Sequence, residues 1–149
     1  YVRLGRAAVP VCYGEHDEIR IGKACTLREG KDLTIIATGI MVSEALAAAD
    51  ALAEEGIHAR VVDMHTIKPI DRECILKAAK ETGKIVTAEE HSIIGGLGSA
   101  VAEVTSQEYP VKIAMVGQKD TFGESGKPAE LLEKYGMTAK DIVLAAKSL

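Results

Sequence analysis

The chain has no Trp, one Phe and four Tyr in 149 residues, so aromatics make up only 3% of it. A protein that holds bases by stacking needs rings to stack on, and this composition argues against that class. Asparagine is absent altogether, which excludes N-linked glycosylation and fits a source poor in thermolabile amides. Neither sign of charge dominates: 18 Lys/Arg stand against 22 Asp/Glu, a formal net charge of −4. No nucleic-acid partner is expected, because such surfaces cluster basic groups to neutralise phosphates. The longest uncharged stretches, Leu33–Ser43 and His91–Ala102, fall well short of the roughly 18 residues that cross a bilayer. No membrane partner is expected either. Arg3 and Arg6 interrupt the opening residues, so no signal peptide is read. Cys12, Cys25 and Cys74 are odd in number, far apart and form no CxxC; the expectation is reduced thiols in a cytoplasmic protein, with no zinc knuckle or disulfide framework. The chain starts on Tyr1 rather than Met and reads as a fragment.

What is present has the size of one domain, long enough to bury roughly 70% of the surface of its unfolded chain. Charge is unevenly spread. Residues 1–31 hold six Lys/Arg against four Asp/Glu, leaving twelve against eighteen for 32–149. From residue 32 onward, short apolar runs alternate with helical patterns. Leu33–Thr38, Ala59–Met64, Lys84–Ala88 and Val111–Val116 read as buried strands, continuous in apolar character as two-sided burial requires. Between them, helices are expected from Ser43 to Glu55, from the Pro69–Asp71 start to Gly83, and from the glycines at 95–98 to about Gln107. Val42, Leu46, Ala49 and Ala53 are read as the buried face of the first. Pro128–Tyr135 and Thr138–Ser148 follow, the second with Thr138 and Asp141 at capping-box spacing. Such alternation predicts a parallel sheet covered on both faces. Ile21–Leu27 is separated from Leu33–Thr38 by only five polar residues, too few for a crossover, so it is expected as an antiparallel edge strand. Residues 1–20 fit no element and read as a linker.

Ligands in open parallel sheets bind beyond the carboxyl ends of the strands, which directs attention to Thr38-Gly39, His65-Thr66, Glu89-Glu90-His91 and Gly117. The segment from Glu89 to Ser99 carries two carboxylates and a histidine into a glycine-rich helix start. Exposed N–H groups and the helix dipole there make Glu90, His91, Gly95, Gly96, Gly98 and Ser99 candidates for an anion site. It is no dinucleotide fingerprint, because Val101 stands where the third glycine belongs. The other reading of these glycines is close turning and packing. Glu90 and His91 are read either as an acid–base pair or as groups that orient the loop. Gly126-Lys127-Pro128 fails as a phosphate loop, with Thr121 and Pro128 at two required positions. His58 and His65 lack partners at metal spacing, and no catalytic constellation or metal site is expected.

Several segments nevertheless resemble one family. Gly30–Gly39, Val62–Asp71, Glu89-Glu90-His91 with Gly95–Gly98, and Asp120–Gly126 with the Tyr135-Gly136 helix stop are similar to the carboxy-terminal domain of transketolases. Deoxyxylulose-phosphate synthases and the β subunits of 2-oxo-acid dehydrogenases share the Pro69…Asp71 and Gly95-Gly96 features; Phe122–Gly126 favours transketolase. The resemblance implies an α/β fold, a three-layer α/β/α domain on a five-stranded mixed sheet with the first strand antiparallel to the other four. It implies residues 1–20 as the end of a preceding pyrimidine-binding domain plus linker, Tyr1–Arg6 being that domain's closing strand, and 21–149 as the carboxy-terminal domain. The implied parent moves two-carbon ketol units between sugar phosphates, in the pentose phosphate pathway, with thiamine diphosphate and a divalent metal. This chain lacks the family's Gly-Asp-Gly…Asn motif, so the piece alone is expected to be inactive and to bind neither cofactor. The implied partners are the upstream diphosphate- and pyrimidine-binding domains or subunit, in a homodimeric parent. The alternative is a partner-docking or anion-binding module of the two related families.

Overall fold

Leu33-Thr34-Ile35-Ile36-Ala37 is β-branched and apolar on both faces, a composition that water cannot solvate on either side. In the computed structural model, which describes residues 1–5, 8–15 and 17–149, this run is β2 (Leu33–Ala37) and all five residues are buried. Around it the chain forms β1 (Cys25–Arg28), α1 (Met41–Glu54), β3 (Ala59–Asp63), α2 (Arg72–Thr82) and β4 (Lys84–Ser92). Then come α3 (Leu97–Glu108), β5 (Lys112–Gln118), α4 (Pro128–Lys134) and α5 (Ala139–Lys147).

The five strands make one sheet in the order β1-β3-β2-β4-β5. β2 is parallel to β3 and β4, β4 is parallel to β5, and β1 runs antiparallel along β3. The three-layer expectation and the antiparallel first strand both hold. Alternate strand residues serve opposite layers. Leu33, Ile35, Ala37, Val61, Val86 and Ala88 join Met41, Ala45, Leu52, Leu132 and Ile142 in one core, under α1, α4 and α5. Ile36, Val62 and Ile85 join Ile75, Ala79, Leu97 and Val101 in the other, under α2 and α3.

Some boundaries differ from the sequence pattern. β1 begins at Cys25, not Ile21: Lys23 N–H donates to Arg20 O (3.0 Å), Gly22 has φ +83°, and this turn leaves Ile21 exposed. The four-residue link from β1 to β2 does not close a hairpin either, since β3 lies between them. The buried face of α1 is Met41, Val42, Ala45, Ala48, Ala49 and Leu52, which leaves Leu46 and Ala53 at its margin. Ala-rich helices are ambiguous in this way, because alanine is tolerated on every face. β4 continues four residues past Ala88, with a register shift before Ser92 pairs with Gln118.

Candidate functional site

β2 is the pivot of the sheet. From it the chain passes through α1 to β3 on one side, and then through α2 to β4 on the other. The topological switch point therefore lies beyond the carboxyl ends of β2 and β4, at Thr38 and Glu89, where doubly wound sheets place their ligands. Thr38 N–H donates to Ala88 O there (3.2 Å).

Glu89 dominates this point. It is only 2% exposed, and its carboxylate accepts from Leu97 N (2.8 Å) and Gly98 N (3.0 Å) at the start of α3. Two charge-assisted bonds of roughly 1.5–3 kcal/mol each, at the positive end of a helix dipole, are what keep a buried carboxylate there. The glycines make the approach possible. A Cβ on Gly96 would lie 2.2 Å from Glu89 Oε2, and one on Gly98 would lie 2.8 Å from Met115 Sδ and Thr87 Oγ1. Gly95 N donates to Ser99 Oγ (2.9 Å), which in turn donates to Ile93 O (3.3 Å). The Leu97 and Gly98 N–H groups of this helix start are thus taken by the chain's own Glu89. A second anion would meet that charge.

Glu90 and His91 lie on the exposed continuation of β4. Glu90 receives Arg3, at its carbonyl (3.0 Å) and carboxylate (3.5 Å); His91 Nδ1 lies 3.2 Å from Ser92 O. No hydrogen bond joins the two side chains among the described residues.

A second polar cluster sits at the end of β3; the sequence pattern directed attention to its His65-Thr66 but not to Asp63 or Tyr13. The Tyr13 hydroxyl donates to Asp63 Oδ2, and Thr66 Oγ1 is 2.9 Å from His65 Nδ1. Asp63 Oδ1 and His65 Nε2 are buried with no hydrogen-bond partner among the described residues. Burial pushes the Asp63 carboxyl up, while the Tyr13 bond and His65 oppose it. Burial, and then Asp63 itself, drive the Tyr13 phenol far above the usual tyrosine range. A carboxylate closing an apolar strand (Val61-Val62-Asp63) was the available signal. Its partner is fifty residues away. His58 is exposed, and its backbone N–H donates to Asp32 (2.7 Å). Lys127 precedes α4 with Pro128 at the first helical position, as the failed phosphate-loop spacing implied.

Residues 22–142 match the family described as transketolase, C-terminal domain. The chain belongs to the transketolase carboxy-terminal domain family. It is 53% identical over 146 residues to the 6-deoxy-6-sulfo-D-fructose transketolase subunit SqwH of Clostridium sp. (strain MSTE9), covering 98% of this chain and 45% of that protein. It is 50% identical over 147 residues to one of the subunits of the apulose-4-phosphate transketolase of Phocaeicola vulgatus, covering 98% of this chain and 47% of that one. A solved structure described as a split gene transketolase, inactive beta4 tetramer, superposes with a TM-score of 0.95 at 56% identity, over 99% of this chain and 48% of that one. The chain thus spans about half the length of these relatives.

The family implies thiamine diphosphate and a metal, and the described residues do not fit that pair. No group of three or more His, Cys, Asp or Glu among them could hold a metal ion. The one helix start built for an anion at the switch point is filled by Glu89, whose charge would repel a diphosphate. No helix among the described residues is long and apolar enough to cross a membrane.

Proposed function

We propose that this chain is the non-catalytic, structural or regulatory carboxy-terminal portion of a thiamine-diphosphate-dependent transketolase. The parent enzyme moves two-carbon ketol units between sugar phosphates in the cytoplasm, as a homodimer that also holds a divalent metal. The observation that carries this reading is the end-to-end match of the chain to about half of transketolase subunits. The chemistry then belongs to the upstream diphosphate- and pyrimidine-binding domains or subunit. The Glu89-filled cradle supports that division, since the Leu97 and Gly98 N–H groups it occupies are not available to a cofactor phosphate.

Residues 1–20 are the end of the preceding domain and the linker from it. Val2, Leu4 and Val11 are 80%, 86% and 91% exposed, the pattern of apolar side chains whose partners lie on another surface. Arg6, in the same stretch, lies outside the described residues.

The test is a transketolase assay with saturating thiamine diphosphate and magnesium. The chain alone should give no turnover, and activity should return when the upstream domains or subunit are supplied. Turnover by the chain alone would overturn the proposal.

A further inference from the structure

The segment before β1 is anchored across one end of the sheet. Arg3 donates to Glu90 on β4 (3.0 Å). Ala8 and Pro10 then line a groove with Ile40 and Ser43, at the start of α1 and directly after β2. Cys12 packs against the core beneath α1, and the Tyr13 hydroxyl reaches Asp63 at the end of β3. Finally Ala24 N–H donates to Asp71, the cap of α2 (3.0 Å). In chain order the segment passes the carboxyl ends of β4, β2 and β3, which is the crevice where sheets of this topology bind ligands.

The anchors are unequal. Arg3 and Glu90 are each about half exposed (52% and 49%), and exposed ion pairs of this kind hold little. Asp63 is 6% exposed, so its bond to Tyr13 is shielded from water. We propose that Tyr13 and Asp63 form the clasp of a strap, the described residues 8–15 and 17–24, that covers the carboxyl-end crevice with the protein's own chain. The clasp is built to open. Asp63 Oδ1 and His65 Nε2 lack partners among the described residues while the strap is closed, and burial works against the Asp63 charge. Opening admits water to both groups, which offsets part of the lost bond. It also uncovers Asp63, His65 and Thr66 together at the rim of the crevice. In one respect this rests on the proposed function: the strap is also what joins an upstream catalytic portion to this domain.

Hydrogen exchange on the full-length protein containing this chain tests it. Tyr13→Phe should speed exchange of the amides at 8–15 by about tenfold, with β2 and β4 unchanged. Arg3→Ala should leave residues 8–15 within about twofold of wild type. The double variant Tyr13→Phe/Asp63→Asn should open the strap no further than the faster single variant, because both remove one interaction. Wild-type exchange at 8–15 in Tyr13→Phe would overturn the proposal. So would additive effects in the double variant, a Tyr13→Phe protein that fails to fold, or protection lost evenly over the sheet. The exchange readout needs no turnover, so the strap can stand even where the transketolase assay fails.

Discussion

Glu89 and Glu90 are neighbours in the chain with opposite fates. The first is buried and caps α3, while the second faces solvent and pairs with Arg3. Alternation along a strand puts one of two adjacent residues inside, but the pattern does not say which when both are carboxylates. Gly96 is tied to that choice, since its missing Cβ is the space Glu89 occupies. Gly96→Ala should therefore cost about 1–3 kcal/mol of stability in urea unfolding; an unchanged midpoint and slope would show that Glu89 is free to move aside. Asp63 has a pH signature. Burial raises its pKa above the ordinary 3.8, so the folded state binds that proton more tightly than the unfolded state does. The stabilisation is fully present below about pH 3.9 and is lost as pH rises through the raised folded value. Urea unfolding of wild type and Asp63→Asn across pH 3.5–7 should show wild type losing ground to the variant as pH rises, and a constant difference would contradict this. Cys74 is pushed up to about 11 by burial, with Asp71 adding to it. Its alkylation at pH 8 should run on the order of a hundredfold slower than that of a free thiol of pKa near 8.5. Peptide mapping after iodoacetamide treatment reads this directly, and reaction at the free-thiol rate would refute it.

At the scale of elements, caps do more than end helices. Asp71 accepts from Cys74 N–H (3.1 Å) as the cap of α2, and from Ala24 N–H (3.0 Å) just before β1. One side chain thus sets where α2 starts and where the edge strand arrives. Asp71→Ala should cost about 1–3 kcal/mol, more than a solvent-exposed cap. A loss under about 0.5 kcal/mol in chemical denaturation would mean that both amides find water. α5 is capped twice. Asp141 accepts from Thr138 N–H (3.0 Å), as the spacing predicts, and Glu44 on α1 accepts from Ala139 N–H (2.7 Å). The first cap is local and was legible in the chain; the second joins residues 95 apart and was not. The same division separates β2, recognisable from five apolar residues, from the extension of β4. Glu90-His91-Ser92 is polar and reads as loop, yet Ser92 finds Gln118 across a register shift.

At the scale of the whole molecule, Val2 and Leu4 of the first segment stand exposed. Replacing Val2 and Leu4 together with Asp should leave the unfolding midpoint of the chain within about 0.5 kcal/mol of wild type. The same change should weaken association with the upstream portion, measured by analytical ultracentrifugation of the two pieces. Equal binding by the variant would place that interface elsewhere. Sequence alone determined the α/β class, the order of the helices and strands, the antiparallel character of β1 and the family. These rest on period, turn chemistry and motifs read within a few residues of one another. Tertiary structure alone decided that β3 separates β1 from β2, that Glu89 rather than Glu90 fills the helix start, and that Tyr13 closes on Asp63. Each depends on which distant groups share a low-dielectric space, and burial there decides whether a charge is a cost, a cap or a clasp.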